Sequence, residues 1–420
     1  MSEGPRSTRR RLIIALFAAS LLIRLIALMV LRPPDLDTSA TEAYLGGADL
    51  LLHGKGFSDT SYPVFAPPLY AMFISLCASL FGAGQWPVKV VQVLIDSATI
   101  LIIYAVIREI FGARTGILAA AILAVYPFSI YLAISIAAEP LSMFFLSVFV
   151  LLTIYAIRFQ QLRYYCAAGI LLGLATMTRA ATQFLPLMLP MMILPFHRLG
   201  KEVLLKYAVF CLCFASVILP WAVRNYAVLR DVIPVATAGG AVFLEGSSEK
   251  FFTVDGRAKA MPIYLESLRA RGIVGPQKGS KPSENARFLT RAGIENYKSR
   301  LRDEPLSFVP FFLSKIGRLW YSTESGRNQG LVLATNSLIY VFAIAGLVLT
   351  WTKQKRMGWV LVCTLVYFVA IHCISVPLYR YMIPAMPYVI GFAAFGIVMT
   401  IERLGHLRED RPVSRWMTDD

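Results

Sequence analysis

Hydrophobic and polar residues alternate along the chain in long blocks. Arg9, Arg10 and Arg11 precede an unbroken apolar run over 12–31, which is long enough to cross a bilayer and longer than the core of a signal peptide. Apolar runs of similar length recur to the end of the chain, separated by polar segments. The pattern predicts a polytopic helical membrane protein whose N-terminus is cytoplasmic.

The short apolar stretch over 69–82 decides the orientation of every later element. If it crossed the membrane, the basic clusters at 108–114, 158–163 and 353–356 would all be external. Because Lys and Arg collect at cytoplasmic ends of spans, the pattern favours a helix that lies in the membrane interface. Residues 32–87 then form one long external loop that ends in a juxtamembrane helix.

With that orientation the sequence predicts about ten spans and cytoplasmic ends for the chain in the plasma (inner) membrane. The predicted spans are 12–31, 88–107, 115–134, 140–157, 164–178, 183–196, 204–222, 331–351, 359–375 and 382–401. Three parts are expected: an N-terminal transmembrane module over 1–225, an external segment with a juxtamembrane helix over 226–330, and C-terminal spans with a cytoplasmic tail over 331–420.

Composition supports a membrane protein and excludes a soluble domain. Of the 420 residues 57% are hydrophobic and 16% charged, and the mean hydropathy is +0.62. The formal charge of +16 fits cytoplasmic span ends better than nucleic-acid binding. All six cysteines lie in apolar runs without metal-type spacing, so neither a disulfide framework nor a zinc site is indicated.

The first external loop is unusually acidic. It follows the first span directly and is bracketed by Pro34 and Pro63. Its carboxylates are Asp35, Asp37, Glu42, Asp49 and Asp59. Five acids beside a membrane span predict a shaped loop with a function at the membrane surface.

Several short motifs follow one another in a recognisable order. They include a YxxxAxxLxxGxGF pattern over 44–57, APPLY over 66–70, IFGARTGILAA over 110–120, AEPL over 138–141, GLATMTR over 173–179, PWAVRNY over 220–226, VIPVATAGG over 232–240 and RYMIPAMP over 380–387. Their order resembles that of polyprenyl-phosphate-dependent membrane glycosyltransferases of the protein-mannosyltransferase type. The polar portion over 249–305 is not covered by the resemblance.

The resemblance implies an all-α GT-C fold with an external active site. It also implies transfer of a sugar, with inversion, from a polyprenyl-phosphate donor to an acceptor. Such transfer needs a carboxylate that deprotonates the acceptor hydroxyl and a cation for the departing phosphate. The sequence identifies neither the sugar nor the acceptor, which could be a protein, a lipid, lipopolysaccharide or a cell-wall glycan.

The catalytic carboxylate is expected in the first external loop. In similar enzymes an aspartate stands four residues before the tyrosine that corresponds to Tyr44, but this chain has Ala40 there. Asp37, close after the first span, is the preferred candidate, with Asp35 and Glu42 as alternatives, and the choice stays open. Capping of a helix that begins near Thr38 is the competing interpretation for Asp37 and Glu42.

Glu139 and a few cations complete the predicted site. Glu139 lies in a short external turn among apolar residues, where it either faces the cavity or stabilises the start of a span. The predicted donor-phosphate ligands are Arg380, which lies between two tyrosines, its neighbour Tyr381, and Arg224. For Arg179, which also lies at an outer span end, contact with lipid head groups is the simpler interpretation. Neither a metal nor a cofactor is indicated.

Two other classes of function compete with an enzyme. A transporter or lipid flippase needs ionisable residues along several spans, whereas only Arg24 and Asp96 are charged near mid-span. A non-catalytic relative of the GT-C enzymes would tolerate loss of the outer carboxylates, and the alanine at position 40 keeps that alternative open.

Overall fold

The structure, a computed structural model, describes residues 5–31, 39–57, 64–198, 200–270, 272, 275–276, 280–353 and 356–409. The first eight helices are α1 (Pro5–Leu31), α2 (Ser39–Leu52), α3 (Pro68–Phe81), α4 (Gln85–Phe111), α5 (Ala113–Ala124), α6 (Pro127–Ala133), α7 (Glu139–Phe159) and α8 (Leu162–Thr178). The next six are α9 (Leu189–Ile193), α10 (Lys201–Leu229), α11 (Ala238–Gly246), α12 (Val254–Ala270), α13 (Pro282–Asp303) and α14 (Pro305–Arg318). The last four are α15 (Gln329–Thr352), α16 (Gly358–Ile374), α17 (Tyr379–Met382) and α18 (Met386–Glu409).

Among the described residues, six helical runs are long and apolar enough to cross a membrane. They lie in α1, α4, α7, α10 and α15 and in the run from Tyr379 to Leu404 that joins α17 to α18. The pair α5 and α6 gives a seventh if it counts as one span, although it bends by 57° just before Pro127. The all-helical, multi-pass fold is therefore confirmed, but the predicted count of ten spans is not.

Two of the predicted spans differ from continuous membrane helices. The predicted span over 183–196 is broken into short pieces, the 3₁₀ turn Leu185–Met188 and the five-residue α9. Pro186 and Pro190 in this segment lack the N–H that a continuous helix needs. The predicted span over 359–375 is the 17-residue α16. Breaks of this kind are tolerated at membrane depth where the backbone is covered by protein or lines a cavity.

The helix over 69–82, whose placement sets the predicted topology, is short. α3 has 14 residues and is about 21 Å long at 1.5 Å per residue, against about 30 Å for the hydrocarbon core of a bilayer. It begins with Pro68 in its first turn and ends at Gly82, whose φ of 97° favours glycine. The length fits a helix in the membrane interface, which stays a prediction.

Membrane helices approach each other closely at glycines. A Cβ on Gly346 of α15 would lie 1.9 Å from the carbonyl oxygen of Phe392 in α18. A Cβ on Gly169 of α8 would lie 2.4 Å from the carbonyl oxygen of Phe210 in α10. Small residues at such crossings allow the backbone contact that stabilises helix pairs in membranes.

One buried ion pair lies inside this bundle. The Nε of Arg24 in α1 donates to Oδ2 of Asp96 in α4 at 2.5 Å, and both side chains have 0% exposure. Ser129 of α6 donates to the same carboxylate, and Arg24 also donates to the carbonyl oxygen of Ala124 at 2.8 Å. The two mid-span charges of the sequence therefore neutralise each other, and their contacts tie four helices together.

Candidate active site: a cavity with a buried carboxylate and two arginines

A cavity of about 1040 Å³ lies where the first-loop helices meet the starts of two membrane helices. Its wall comes from α2, the segment before α3, the first residue of α7, the residues after α8, α11, and the segment from α16 to α17. The charged residues that line it are Glu42, Glu139, Arg179, Glu245, Arg257, Glu324 and Arg380. Its wall is otherwise largely apolar, as in sites that bind amphiphiles.

Glu139 is the buried centre of the charged residues. Its side chain is 1% exposed, and its Oε1 forms ion pairs with Nη1 of Arg179 and Nε of Arg380. Its Oε2 has no hydrogen-bond partner among the described residues. One carboxylate thus holds two guanidinium groups together at the cavity wall, which reduces the repulsion between them.

The local fold explains how these three residues meet. Glu139 is the first residue of α7, where a negative side chain is stabilised by the helix dipole. Arg179 ends α8 in extended conformation, with a φ of −143°, so its side chain leaves the helix towards the cavity. Arg380 belongs to the four-residue α17, which directly follows an extended segment.

Glu324 is a second carboxylate on Arg380. Its Oε1 accepts from Nη1 of Arg380 at 3.2 Å, and its backbone carbonyl accepts from the N–H of Val254 at 3.0 Å. It lies between α14 and α15, in a part of the sequence without a motif, and sequence reasoning missed it. Arg380 is consequently held by carboxylates from two distant segments and faces the cavity with 18% of its side chain exposed.

A buried hydroxyl network fixes the segment that carries Arg380. The hydroxyl groups of Tyr126 and Tyr379 hydrogen-bond to each other, and that of Tyr126 donates to Oδ1 of Asn336 at 2.7 Å. The N–H of Tyr379 donates to the carbonyl oxygen of Ser322 at 2.8 Å. Because Tyr379 precedes Arg380, these contacts restrict the position of the guanidinium.

Tyr381 and His372 continue the same wall. The guanidinium of Arg179 lies 5.4 Å from the ring centroid of Tyr381, within the range of a cation–π interaction. The ring of His372 lies 5.2 Å from that of Tyr381. The Nε2 of His372 is buried without a hydrogen-bond partner among the described residues, and the residue lines the cavity.

Tyr44 of α2 places a neutral hydroxyl at this wall. Its hydroxyl donates to the carbonyl oxygen of Thr178 at 3.4 Å, and its ring packs edge-on against Tyr70. Burial raises the pKa of Tyr44 to about 12, with Glu139 adding to the rise and Arg179 opposing it. The phenol therefore stays protonated at neutral pH.

Of the candidate catalytic acids in the first loop, only Glu42 lies among the described residues. Glu42 is exposed on α2 and lines the cavity together with Ala40. Asp35 and Asp37 lie outside the described residues, in the segment that leads into α2. The assignment of the catalytic base therefore stays a prediction.

Arg224 is not brought to the same wall. Its guanidinium on α10 lies 5.1 Å from the ring centroid of Trp221 and 5.8 Å from that of Phe57. It is not among the residues that line the cavity. Of the predicted residues, the structure brings Glu139, Arg380, Tyr381 and Glu42 to one cavity and leaves Arg224 beside it on aromatic rings.

No metal cluster is found in the part of the chain that the structure describes, in the sense of three or more His, Cys, Asp or Glu side chains placed to share an ion. The cavity holds a further ion pair, between Oε1 of Glu245 and Nη1 of Arg257 at 2.9 Å. Burial raises the pKa of Glu245, while Arg257 opposes the rise. The chemistry that the wall offers is thus charge stabilisation by guanidinium groups.

Part of the sequence matches a known protein family. Residues 66–221 match the family model described as dolichyl-phosphate-mannose-protein mannosyltransferase. Over 170 residues the chain is 25% identical to the "Putative mannosyltransferase YkcB" of Bacillus subtilis (strain 168), a match that covers 40% of this chain and 23% of that protein.

Solved structures extend the likeness over nearly the whole chain. The oligosaccharyltransferase of Archaeoglobus fulgidus in the apo form superposes with a TM-score of 0.57 at 17% identity, covering 97% of this chain and 53% of that one. The same enzyme, AglB, in complex with an inhibitory peptide and a dolichol-phosphate gives 0.56, covering 97% and 52%. The chain thus spans about half the length of these structures.

These findings identify the fold. The chain has the GT-C fold, and the resemblance to GT-C membrane glycosyltransferases of the protein-mannosyltransferase type is confirmed. Its multi-pass membrane character follows from the fold and from the six apolar helical runs among the described residues.

Proposed function

We propose that the protein transfers a glycosyl residue from a polyprenyl-phosphate-linked sugar to an acceptor at the outer face of the membrane, with inversion. The observation that carries this proposal is the contact of Arg179 and Arg380 with the buried carboxylate of Glu139 at the wall of a largely apolar cavity. Guanidinium groups bind phosphate oxygens, and an apolar wall accommodates a prenyl chain. AglB, which shares the fold, has been solved with a dolichol-phosphate.

Two arginines can stabilise the charge that develops as the donor reacts. The acceptor hydroxyl attacks the anomeric carbon, the carbon–oxygen bond to the phosphate breaks, and the phosphate leaves with the electron pair. Arg380 and Arg179 stabilise the departing oxyanion, while Glu139 and Glu324 hold Arg380 in place before reaction begins. Attack from the face opposite the phosphate inverts the anomeric centre.

The acceptor proton needs a base, for which we retain Asp37. Ala40 lines the cavity three residues later in the chain, and three residues span at most about 11 Å. Glu42 lines the cavity and is the alternative base. Arg224 stays in the proposal as a predicted contact to the donor phosphate, although it lies over Trp221 and Phe57.

The external position of the cavity rests on the basic residues at the opposite helix ends. Glu139 begins α7 and Arg158 lies in its last turn, about 28 Å away along the helix. Arg158 and Arg108 both pair with Glu109 there. Because basic clusters of this kind face the cytoplasm, the cavity faces outward.

The test is transfer by the purified protein in liposomes that contain radiolabelled polyprenyl-phosphate-mannose and a lipid and glycan extract of the cell envelope as acceptors. We expect labelled product from the wild type and loss of product from Glu139→Gln and Arg380→Ala. A wild-type protein that neither binds undecaprenyl phosphate nor releases it from the donor would contradict the proposal.

A further inference from the structure

A second pocket adjoins the large cavity that Glu139, Arg179 and Arg380 line. It has a volume of about 400 Å³ and lies between the segment over 232–237 and α13. Its lining residues are Val232, Ile233, Pro234, Ala236, Thr237, Ser283, Ala286, Arg287, Thr290 and Arg291. Ala236 and Thr290 also line the large cavity, so the two spaces share a wall.

Two arginines on one face of α13 give this pocket its charge. Arg287 and Arg291 are four residues apart, are both exposed, and form no ion pair with a described residue. Like charges at this spacing on a helix repel each other and destabilise it. An anion that bridges both guanidinium groups would remove that repulsion.

The acid that leads into the pocket segment does not pair with the arginines. Asp231 precedes the pocket segment and is buried, and its carboxylate accepts from the N–H of Ser283 at 2.8 Å and from its hydroxyl at 2.5 Å. It therefore stabilises the start of α13 and leaves the two guanidinium groups to solvent or to a ligand.

The remaining wall and the position of the pocket favour a lipid over a soluble anion. Val232, Ile233, Pro234, Ala236 and Ala286 make most of the wall apolar. α10, a helix long and apolar enough to cross a membrane, ends at Leu229, only three residues before the pocket begins. The pocket consequently lies within about 11 Å of chain from the end of a helix long enough to span the membrane, close to the level of the lipid head groups.

We propose that this pocket binds the phosphate group of an anionic lipid through Arg287 and Arg291. The inference rests on the proposed function and deepens it, because a lipid anchored here reaches the large cavity across Ala236 and Thr290 and is positioned to act as the acceptor. The acceptor class is then a phosphate-bearing amphiphile with a free hydroxyl group.

Native mass spectrometry of the full chain in a neutral detergent tests the binding directly. The probes are phosphatidylglycerol, phosphatidylcholine and inorganic phosphate. We expect the wild type to retain a phosphatidylglycerol adduct in preference to phosphatidylcholine, and Arg287→Gln with Arg291→Gln to bind it about thirtyfold more weakly, since each basic residue contributes about a factor of five. The matched control, Lys259→Gln with Arg269→Gln, removes two exposed charges of α12 outside both cavities and should retain the adduct.

Equal adducts in the wild type and in the Arg287/Arg291 variant would overturn the inference. Displacement of the adduct by inorganic phosphate as readily as by the lipid would overturn the assignment to a lipid. Glu139→Gln separates this inference from the proposed function, because it should lose transfer and keep the adduct. If the wild type transfers no sugar but loses its adduct in the Arg287/Arg291 variant, the proposed function fails and the lipid site stands.

Discussion

The Nε of Arg380 donates to Oε1 of Glu139, although the two residues are 241 positions apart in the sequence. Arg179 pairs with the same carboxylate oxygen, so one buried acid joins the start of α7, the end of α8 and the start of the last membrane run. Both arginines therefore contact one oxygen of this carboxylate, Oε1, while Oε2 has no hydrogen-bond partner among the described residues. In this account it positions the cations, and a different carboxylate takes the proton of the acceptor.

Replacing Glu139 by glutamine should uncouple the two arginines. Glutamine has the same size as glutamate but no charge. The positive charges of Arg179 and Arg380, in a largely buried site, then lack the negative charge that balances them. We expect a loss of about 2–3 kcal/mol in the free energy of unfolding and a fall of about 10²-fold in transfer. Thermal unfolding and transfer from polyprenyl-phosphate-mannose measure the two effects. Glu266→Gln, at an exposed position of α12, is the control and should change neither.

Arg380 and Arg224 should contribute unequally to donor binding. A lysine at position 380 cannot bind the phosphate in a bidentate manner or keep both carboxylate contacts, so Arg380→Lys should weaken undecaprenyl phosphate binding about tenfold. Arg224→Lys should have a smaller effect, because Arg224 stacks on Trp221 outside the cavity lining. Binding isotherms of both variants with undecaprenyl phosphate measure the two losses of affinity. A larger loss from Arg224→Lys would contradict our placement of the phosphate.

Replacing the catalytic base should slow the chemical step and leave the affinity for the donor unchanged. Asp37→Asn should reduce single-turnover transfer by about 10²–10⁴-fold, the usual contribution of a general base, with undecaprenyl phosphate bound as tightly as by the wild type. Glu42→Gln is the matched comparison, since Glu42 lines the cavity from α2. If Glu42→Gln abolishes transfer and Asp37→Asn does not, the base is Glu42.

The hydropathy pattern predicted a polytopic helical membrane protein. Charged residues at the ends of the apolar runs predicted part of the site. Glu139 and Arg380 could be identified from sequence because charges are costly at apolar span ends. The contact between them could not, since no local pattern reports a contact over 241 positions. Arg179 was interpreted as a head-group contact because hydropathy does not show which way a span end faces, whereas the structure buries it against Glu139. Glu324 lies in a segment without a motif. The broken helix around α9 was missed for another reason: its residues are as apolar as those of a true span.

The pair of Arg24 and Asp96 should be structural. Asp96→Leu alone leaves a buried guanidinium without its partner and should cost about 3–5 kcal/mol of stability. The double variant Arg24→Met with Asp96→Leu should recover most of that loss and keep transfer activity, because neither residue lines the cavity. Thermal unfolding of the single and double variants checks the coupling. Loss of transfer in a stable double variant would contradict a purely structural role for this pair.

Lys315 should make stability depend on pH. This lysine of α14 is buried, and its Nζ donates to the carbonyl oxygen of Gly246 at 2.7 Å and to the hydroxyl of Tyr297 at 3.0 Å. Burial lowers the pKa of Lys315 from 10.5 to about 7. Between these two pH values the unfolded chain binds the extra proton and the folded chain does not. The free energy of unfolding should therefore rise with pH from about 7 to 10.5, by up to about 1.4 kcal/mol per pH unit.

The variant Lys315→Met isolates this effect. It should lack the rise in stability between pH 7 and 10.5 that the wild type shows, while Lys259→Met, at an exposed position, should keep it. Thermal unfolding across the pH range in one detergent provides the comparison. Parallel curves for the wild type and Lys315→Met would show that Lys315 is not the group responsible.

Photocrosslinking with a photoreactive polyprenyl phosphate tests whether the phosphate of the donor lies against Arg179 and Arg380. With the reactive group placed next to the phosphate, we predict crosslinks to residues of the large cavity near Glu139 and Tyr381, strongly reduced in Arg380→Ala. Crosslinks that fall outside this cavity, or that persist unchanged in Arg380→Ala, would contradict the account.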